Sequence, residues 1–210
     1  TLLLCSWLRE EPPPGAIAWL SPDAGDNDPV RLLTYLLAAV RASVDLPDDH
    51  PLAALSPPSQ ADPQVLDGFL ALLVNALGTL EEHMTLIIDD VHELDSEAVA
   101  RSLGFLMRNV PSGVRLILAG RSLSGISLGR MRISGQLAEV GSAELAFTDD
   151  EVEEIFSGSG AEIPRSDLID LRRRAEGWPA GIRLALMSLR GATDQPTLIA
   201  NFSGDVHLVV

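Results

Sequence analysis

The stretch Leu86–Asp95, LIIDDVHELD, decides the fold: an apolar run breaks into two adjacent carboxylates and then into a polar turn. Short runs of this kind, rich in Ile and Leu, are strands, and Met84–Ile88 (MTLII) has that texture. Two more runs share it, Ala16–Leu20 (AIAWL) and Val114–Ala119 (VRLILA). Each is nearly all apolar, the pattern of parallel strands covered by helices on both faces. Between the first two lie helical patterns. Pro29–Val44 carries apolar residues at Leu32, Leu33, Leu36, Leu37 and Val40, with Asn27, Asp28 and Pro29 as cap and first-turn proline, and Val65–Leu80 is a second such stretch. Asp45–Pro63 holds five of the 14 prolines and four Asp, which predicts a long surface loop.

After Gly120 the texture changes. Ser122–Gly135 is rich in Ser and Gly, and two short apolar stretches follow, Gln136–Val140 and Ala143–Phe147. From Thr148 onward the pattern is helical. Thr148 with Glu151 forms a capping box ahead of Val152 and Ile155, and further helices are expected over Ser166–Ala175, over Pro179–Leu189 and from Pro196 toward Phe202. The predicted organisation is an α/β domain over residues 1–147 and a small helical domain over 148–201, with 202–210 opening a further segment.

Composition narrows the function classes. The 210 residues carry 15 basic and 30 acidic side chains, a net charge of -15, and 46% apolar residues, which fits a folded chain of one or two domains and not a disordered one. The only dense basic run is Arg172, Arg173 and Arg174, so the chain lacks the basic surface of a duplex-DNA binder. All 15 basic residues are Arg. With no lysine there is no Schiff base and no phosphate-binding lysine within these residues. The single cysteine, Cys5, excludes an internal disulfide and fits a cytoplasmic setting, and the four histidines show no zinc spacing with it. The apolar opening Thr1–Leu8 is too short to span a membrane and has no basic flank. Because it begins with Thr and runs straight into apolar residues, the sequence reads as a piece of a longer protein.

Three motifs carry potential chemistry. A carboxylate at the carboxyl end of a parallel strand faces the crevice where open α/β sheets bind ligands, so Asp89 could hold a magnesium ion while Asp90 orients a water or the metal's outer shell. The same pair would serve as well to end a strand and begin a turn, and on this motif alone both readings stand. Arg121, just past the third strand, is placed to meet a terminal phosphate, or is a surface arginine of the loop. Gly177–Gly181, GWPAG, lets Gly177 end one helix as its C-cap and Pro179 open the next, which by itself says helix, turn, helix.

In this order, with WLSPDAGDNDPVRLLTYLLAAV (Trp19–Val40) before them and FSGD (Phe202–Asp205) after them, the motifs resemble the nucleotide-binding core of the STAND class of P-loop ATPases. More closely they resemble the MalT-like large ATP-binding regulators of the LuxR family, over nearly the whole chain. The resemblance implies a P-loop NTPase-like parallel sheet with flanking helices, a small helical domain, then a winged helix beginning within 202–210. It implies ATP and Mg2+ as cofactors of the intact parent, slow ATP hydrolysis, nucleotide-dependent self-association, and DNA binding only through a separate carboxyl-terminal domain. By position, Asp89 resembles the magnesium-site acid of the Walker B strand, Asp90 its catalytic neighbour at the hydrolytic water, and Arg121 the sensor arginine. Gly177 and Pro179 match the motif whose proline lies against the adenine. Thr1 falls at the position whose hydroxyl touches magnesium, after a glycine-rich loop and lysine that these residues lack. The first strand of such a sheet is therefore expected to be missing, and the 210 residues by themselves are expected to bind ATP weakly or not at all. Two other readings remain open: a non-catalytic protein-interaction scaffold with a degenerate nucleotide site, and an AAA+ remodeller.

Overall fold

Three parallel strands, β1 (Ala16–Leu20), β2 (Met84–Ile88) and β3 (Val114–Leu118), pair in the order β1-β2-β3. Ala16 stands opposite Met84, and Met84 opposite Val114, so all three strands end level at Leu20, Ile88 and Leu118. The computed structural model describes residues 1–123, 125–158, 163–189 and 199, and the chain divides into two units, Thr1–Gln136 and Leu137–Val210. The expected α/β class with flanking helices is the fold observed.

In the first unit the helices are α1 (Leu2–Glu10), α2 (Pro29–Ser43), α3 (Pro51–Ala54), α4 (Pro63–Leu77), α5 (Glu97–Asn109) and α6 (Gly129–Ile133). Parallel neighbours need a crossover, and α2 to α4 supply the first while α5 supplies the second. The core is one-sided. From the sheet it takes Ala16, Ala18, Leu20, Met84, Leu86, Ile88, Val114, Leu116 and Leu118, which alternate along their strands and so share one face, against Leu32, Leu33, Leu36, Leu70, Leu73 and Leu103 of α2, α4 and α5. On the opposite face Thr85 and Ile87 are buried, while Ile17, Trp19 and Ile117 are half-buried. No residue of α1 is buried. Among the described residues β3 has a strand neighbour on one side only.

Local chemistry sets the helix ends. The Asp28 carboxylate accepts the Val30 N–H at 2.9 Å with Pro29 in the first turn, and Asp62 repeats the device, accepting from Gln64 N–H at 2.9 Å ahead of Pro63. The second cap starts α4 two residues before the expected Val65. The expected long loop over Asp45–Pro63 is more ordered than its composition suggests. It contains α3, capped by the His50 ring, and it docks Leu52 at 0% exposure. Arg41 of α2 donates to the carbonyls of Leu52 (2.8 Å), Ala53 (2.9 Å) and Leu55. A guanidinium with five donors holds three carbonyls that a proline-rich turn leaves without ladder partners.

The second unit holds α7 (Ser142–Leu145), α8 (Asp149–Ser157), α9 (Arg165–Arg174) and α10 (Pro179–Leu189) around Val152, Phe156, Leu168, Leu171, Ile182, Ala185 and Ile199. Phe147 packs partly against this core. The capping box at Thr148 is present: Glu151 accepts from the Thr148 N–H at 2.7 Å and from its hydroxyl at 2.8 Å. The helix expected from Pro196 and the segment 202–210 with its FSGD motif lie outside the described residues, apart from Ile199.

Two predictions follow from this packing. Leu52→Ala should lower stability by about 2–5 kcal/mol, read as a shift of the urea midpoint, because it empties a filled site in the core; a change below about 0.5 kcal/mol would mean that the proline-rich segment is undocked in solution. The two hydrogen bonds from Thr148, backbone first and hydroxyl second, hold the Glu151 carboxyl below the ordinary glutamate range. A depressed folded-state pKa gives stability that is present above the unfolded value of about 4.3 and lost as pH falls through the folded one. The thermal midpoint of Glu151→Gln should therefore fall below that of the unaltered chain at neutral pH, with the difference shrinking below about pH 4.

Candidate functional site

Asp89 is the first residue past β2 and is 2% exposed. Its N–H continues the ladder to the Leu20 carbonyl at 2.9 Å, and it keeps the parity of Thr85 and Ile87, so its side chain leaves the sheet on the face opposite the helical core. A buried carboxylate needs donors. Asp89 Oδ1 takes the Asp90 N–H at 3.0 Å, and Oδ2 takes the Thr1 hydroxyl at 2.6 Å, with the Thr1 nitrogen 3.6 Å away. Thr1 is the N-cap of α1, yet its hydroxyl makes no capping bond because it is turned to Asp89. The two residues placed at magnesium by resemblance are thus brought together, at the positive end of a helix whose first N–H groups have no helical partner.

Asp90 adopts the left-handed conformation (φ 51°, ψ 33°), which Asp tolerates better than most residues, and its side chain is 45% exposed. The chain then turns tightly: Glu93 N–H donates to the Asp90 carbonyl at 2.9 Å, and Val91 N–H to the Ala119 carbonyl at 3.0 Å. His92, to which the sequence assigned no role, is mostly buried between two acids, its Nδ1 3.9 Å from Asp90 Oδ1 and its Nε2 3.4 Å from Glu93 Oε1. Arg121 is exposed in the loop that leaves β3 at the same edge of the sheet.

Gly177 and Pro179 lie in the second unit. Gly177 is not the C-cap expected. Ala175 caps α9, Glu176 takes the first left-handed position (φ 52°) and Gly177 the next (φ 69°), its N–H donating to the Arg172 carbonyl at 2.8 Å. A Cβ at Gly177 would stand 2.9 Å from the Phe147 carbonyl oxygen, so the position needs glycine for room as well as for φ. Pro179 opens α10 as expected.

Two residues here escaped the sequence reading. Gly120 passes so close to the acid loop that a Cβ would meet Val91 Cγ2 at 2.9 Å and His92 N at 3.1 Å. A glycine directly after a strand, ahead of the candidate arginine, was the available signal. Asn27 was taken as part of a helix cap, but Asp28 fills that role and the Asn27 carboxamide reaches across to Glu93, Asp95 and Ser96.

The donor set suits magnesium, which takes one or two protein oxygens and completes its octahedron with phosphate and water. Thr1 and Asp89 supply two such oxygens, and among the described residues no group of three or more His, Cys, Asp and Glu forms an all-protein cage.

The fold is that of a P-loop NTPase-like α/β core with a helical part. The chain matches no protein-family model. It is 32% identical over 207 residues to the serine/threonine-protein kinase PknK of Mycobacterium tuberculosis, covering 96% of this chain and 18% of that protein. It is 27% identical over 199 residues to the HTH-type transcriptional regulator MalT of Yersinia enterocolitica and 28% over 199 residues to MalT of Serratia proteamaculans, in both cases over 90% of this chain and 20% of the relative. The chain is thus similar to a region found in MalT and in PknK, consistent with a MalT-like core, and it spans about a fifth of the length of these curated relatives.

Gly120→Ala should displace Val91 and His92, seen as amide shift changes concentrated at residues 90–92, and cost about 1–3 kcal/mol. Shift changes confined to Gly120–Ser122 with an unchanged urea midpoint would contradict the close approach.

Proposed function

We propose that this chain is the ATP- and magnesium-binding switch segment of a LuxR-type regulator of transcription that works in the cytoplasm. The observation that carries the reading is the 2.6 Å hydrogen bond from the Thr1 hydroxyl to a buried Asp89 at the carboxyl end of β2. Among the described residues no arginine or histidine pairs with Asp89, and the groups that meet it are the Thr1 hydroxyl, the Asp90 N–H and the Thr1 nitrogen at 3.6 Å, an oxygen pair that a divalent cation could share. Bound there, magnesium would neutralise charge on the terminal phosphates. The chain's own groups do the rest. Thr1 and Asp89 hold the metal, the left-handed turn turns Asp90 outward where it can orient a water, and Arg121 at the same sheet edge can meet developing phosphate charge. Support from the relatives is of the same kind, since MalT is by name an HTH-type transcriptional regulator. In the parent, nucleotide occupancy would govern self-association, and DNA would be met by a separate carboxyl-terminal domain. Among the described residues no helix is long and apolar enough to cross a membrane.

The test is made in the full-length protein. Asp89→Ala should weaken magnesium-dependent ATP binding at least about tenfold, whereas Asp90→Asn should hold binding within about threefold and slow hydrolysis at least about tenfold. Binding and turnover undiminished in both variants would remove the assignment.

A further inference from the structure

The run Gly25–Pro29, GDNDP, divides its labour residue by residue. Asp26 is buried, accepts the Asp23 N–H at 3.0 Å and pairs with Arg31 Nε at 3.0 Å, so it closes its own turn. Asp28 caps α2, and Pro29 opens it. Asn27 is the one of the five whose side chain is seen bonding to the segment after Asp90. Its Nδ2 donates to the Ala24 carbonyl at 3.1 Å and to the Glu93 carbonyl at 2.9 Å, and its Oδ1 accepts the N–H groups of Asp95 at 2.8 Å and Ser96 at 2.9 Å.

Both donors and both acceptor sites of one carboxamide are therefore in use, three of them on the segment that follows Asp90. Only a side chain with a donor pair and an acceptor on one short stem can do this. Asp has no donor, Ser has too few groups, and Gln is a methylene longer. Ser96, the N-cap of α5, makes no side-chain cap bond, and its own N–H is taken by Asn27, which holds the residue from which the helix starts. The loop that carries Asp90 is thus fixed at its start by Val91 to Ala119, within by Glu93 to Asp90, and at its end by Asn27.

We infer that Asn27 is the positioning residue of the acid loop: by clamping residues 93–96 it fixes the left-handed turn at Asp90, and so it sets the rate of the reaction at Asp90 more than the affinity for nucleotide. This rests on the nucleotide reading of the Asp89 and Asp90 site. Asn27 touches no reacting group itself. Its effect passes through backbone geometry, where misplacement by about 1 Å can cost on the order of a hundredfold in rate.

Two measurements separate the inference from the reading beneath it. In the 210-residue chain, Asn27→Ala should speed hydrogen exchange of the Asp95 and Ser96 amides at least about tenfold, while Asn27→Asp, which still accepts both, should leave them protected. Unchanged exchange in Asn27→Ala overturns the clamp, whatever the site binds. In the full-length protein, Asn27→Asp loses both donors and should lower kcat for Mg·ATP hydrolysis about 10–100-fold with the dissociation constant for Mg·ATP held within about threefold. Unchanged kcat, or equal losses in kcat and affinity, overturns the positioning role. ATP binding by the unaltered full-length protein, and its loss in Asp89→Ala, reports independently on the nucleotide reading.

Discussion

A carboxylate at 2% exposure is costly to keep at the end of a strand, and the arrangement around Asp89 is the answer to that cost. Its two oxygens are met by the Thr1 hydroxyl and the Asp90 N–H, with the Thr1 nitrogen 3.6 Å away. The proposed cation site rests on this arrangement. It also joins elements that are far apart in the chain, because the hydroxyl comes from Thr1, 88 residues away, at the head of α1. Helix head, strand end and acid meet at one point, and the chemistry proposed for the chain depends on that meeting.

Around this point the backbone, more than the side chains, holds the geometry. Asp89 is tied to β1 through the Leu20 carbonyl, and Val91 is tied to the exit of β3 through Ala119. Gly120 permits the latter by leaving no Cβ between the two loops. With both flanking strands gripping the segment, Asp90 can be kept left-handed, a conformation that a free loop would relax. The fold places these contacts at the level carboxyl ends of three parallel strands, where no ladder partner competes for them.

Periodicity and end signals carried most of the architecture. The nearly all-apolar texture of Met84–Ile88 marked a buried strand, and Asp28 with Pro29 marked the start of α2, because both signals are local. Asp89 and Asp90 were legible as a candidate site from their place at a strand end, with a plain turn as the other reading, whereas Thr1 joined them only through resemblance, since nothing in the spacing of Thr1 and Asp89 announces a contact. Asn27 was not legible at all as a clamp: its partners on the acid loop lie 66–69 residues ahead and are backbone groups, which have no residue signature. The docking of Leu52 was hidden for a related reason. Proline and aspartate dominate the segment around it, and one buried leucine held by Arg41 decides its order. At Gly177 the signal was read two residues late, because Ala175 caps α9 and a left-handed Glu176 stands between the cap and the glycine.

The central claim is that Thr1 and Asp89 share one metal-binding point with Asp90 beside it. Manganese in place of magnesium, added with ATP to the isotope-labelled full-length protein, broadens resonances by proximity and so maps the metal without any substitution. The account predicts the strongest broadening at the amides of Thr1, Leu2, Asp89 and Asp90. Broadening centred elsewhere, or none at the carboxyl end of β2 with ATP bound, would contradict it.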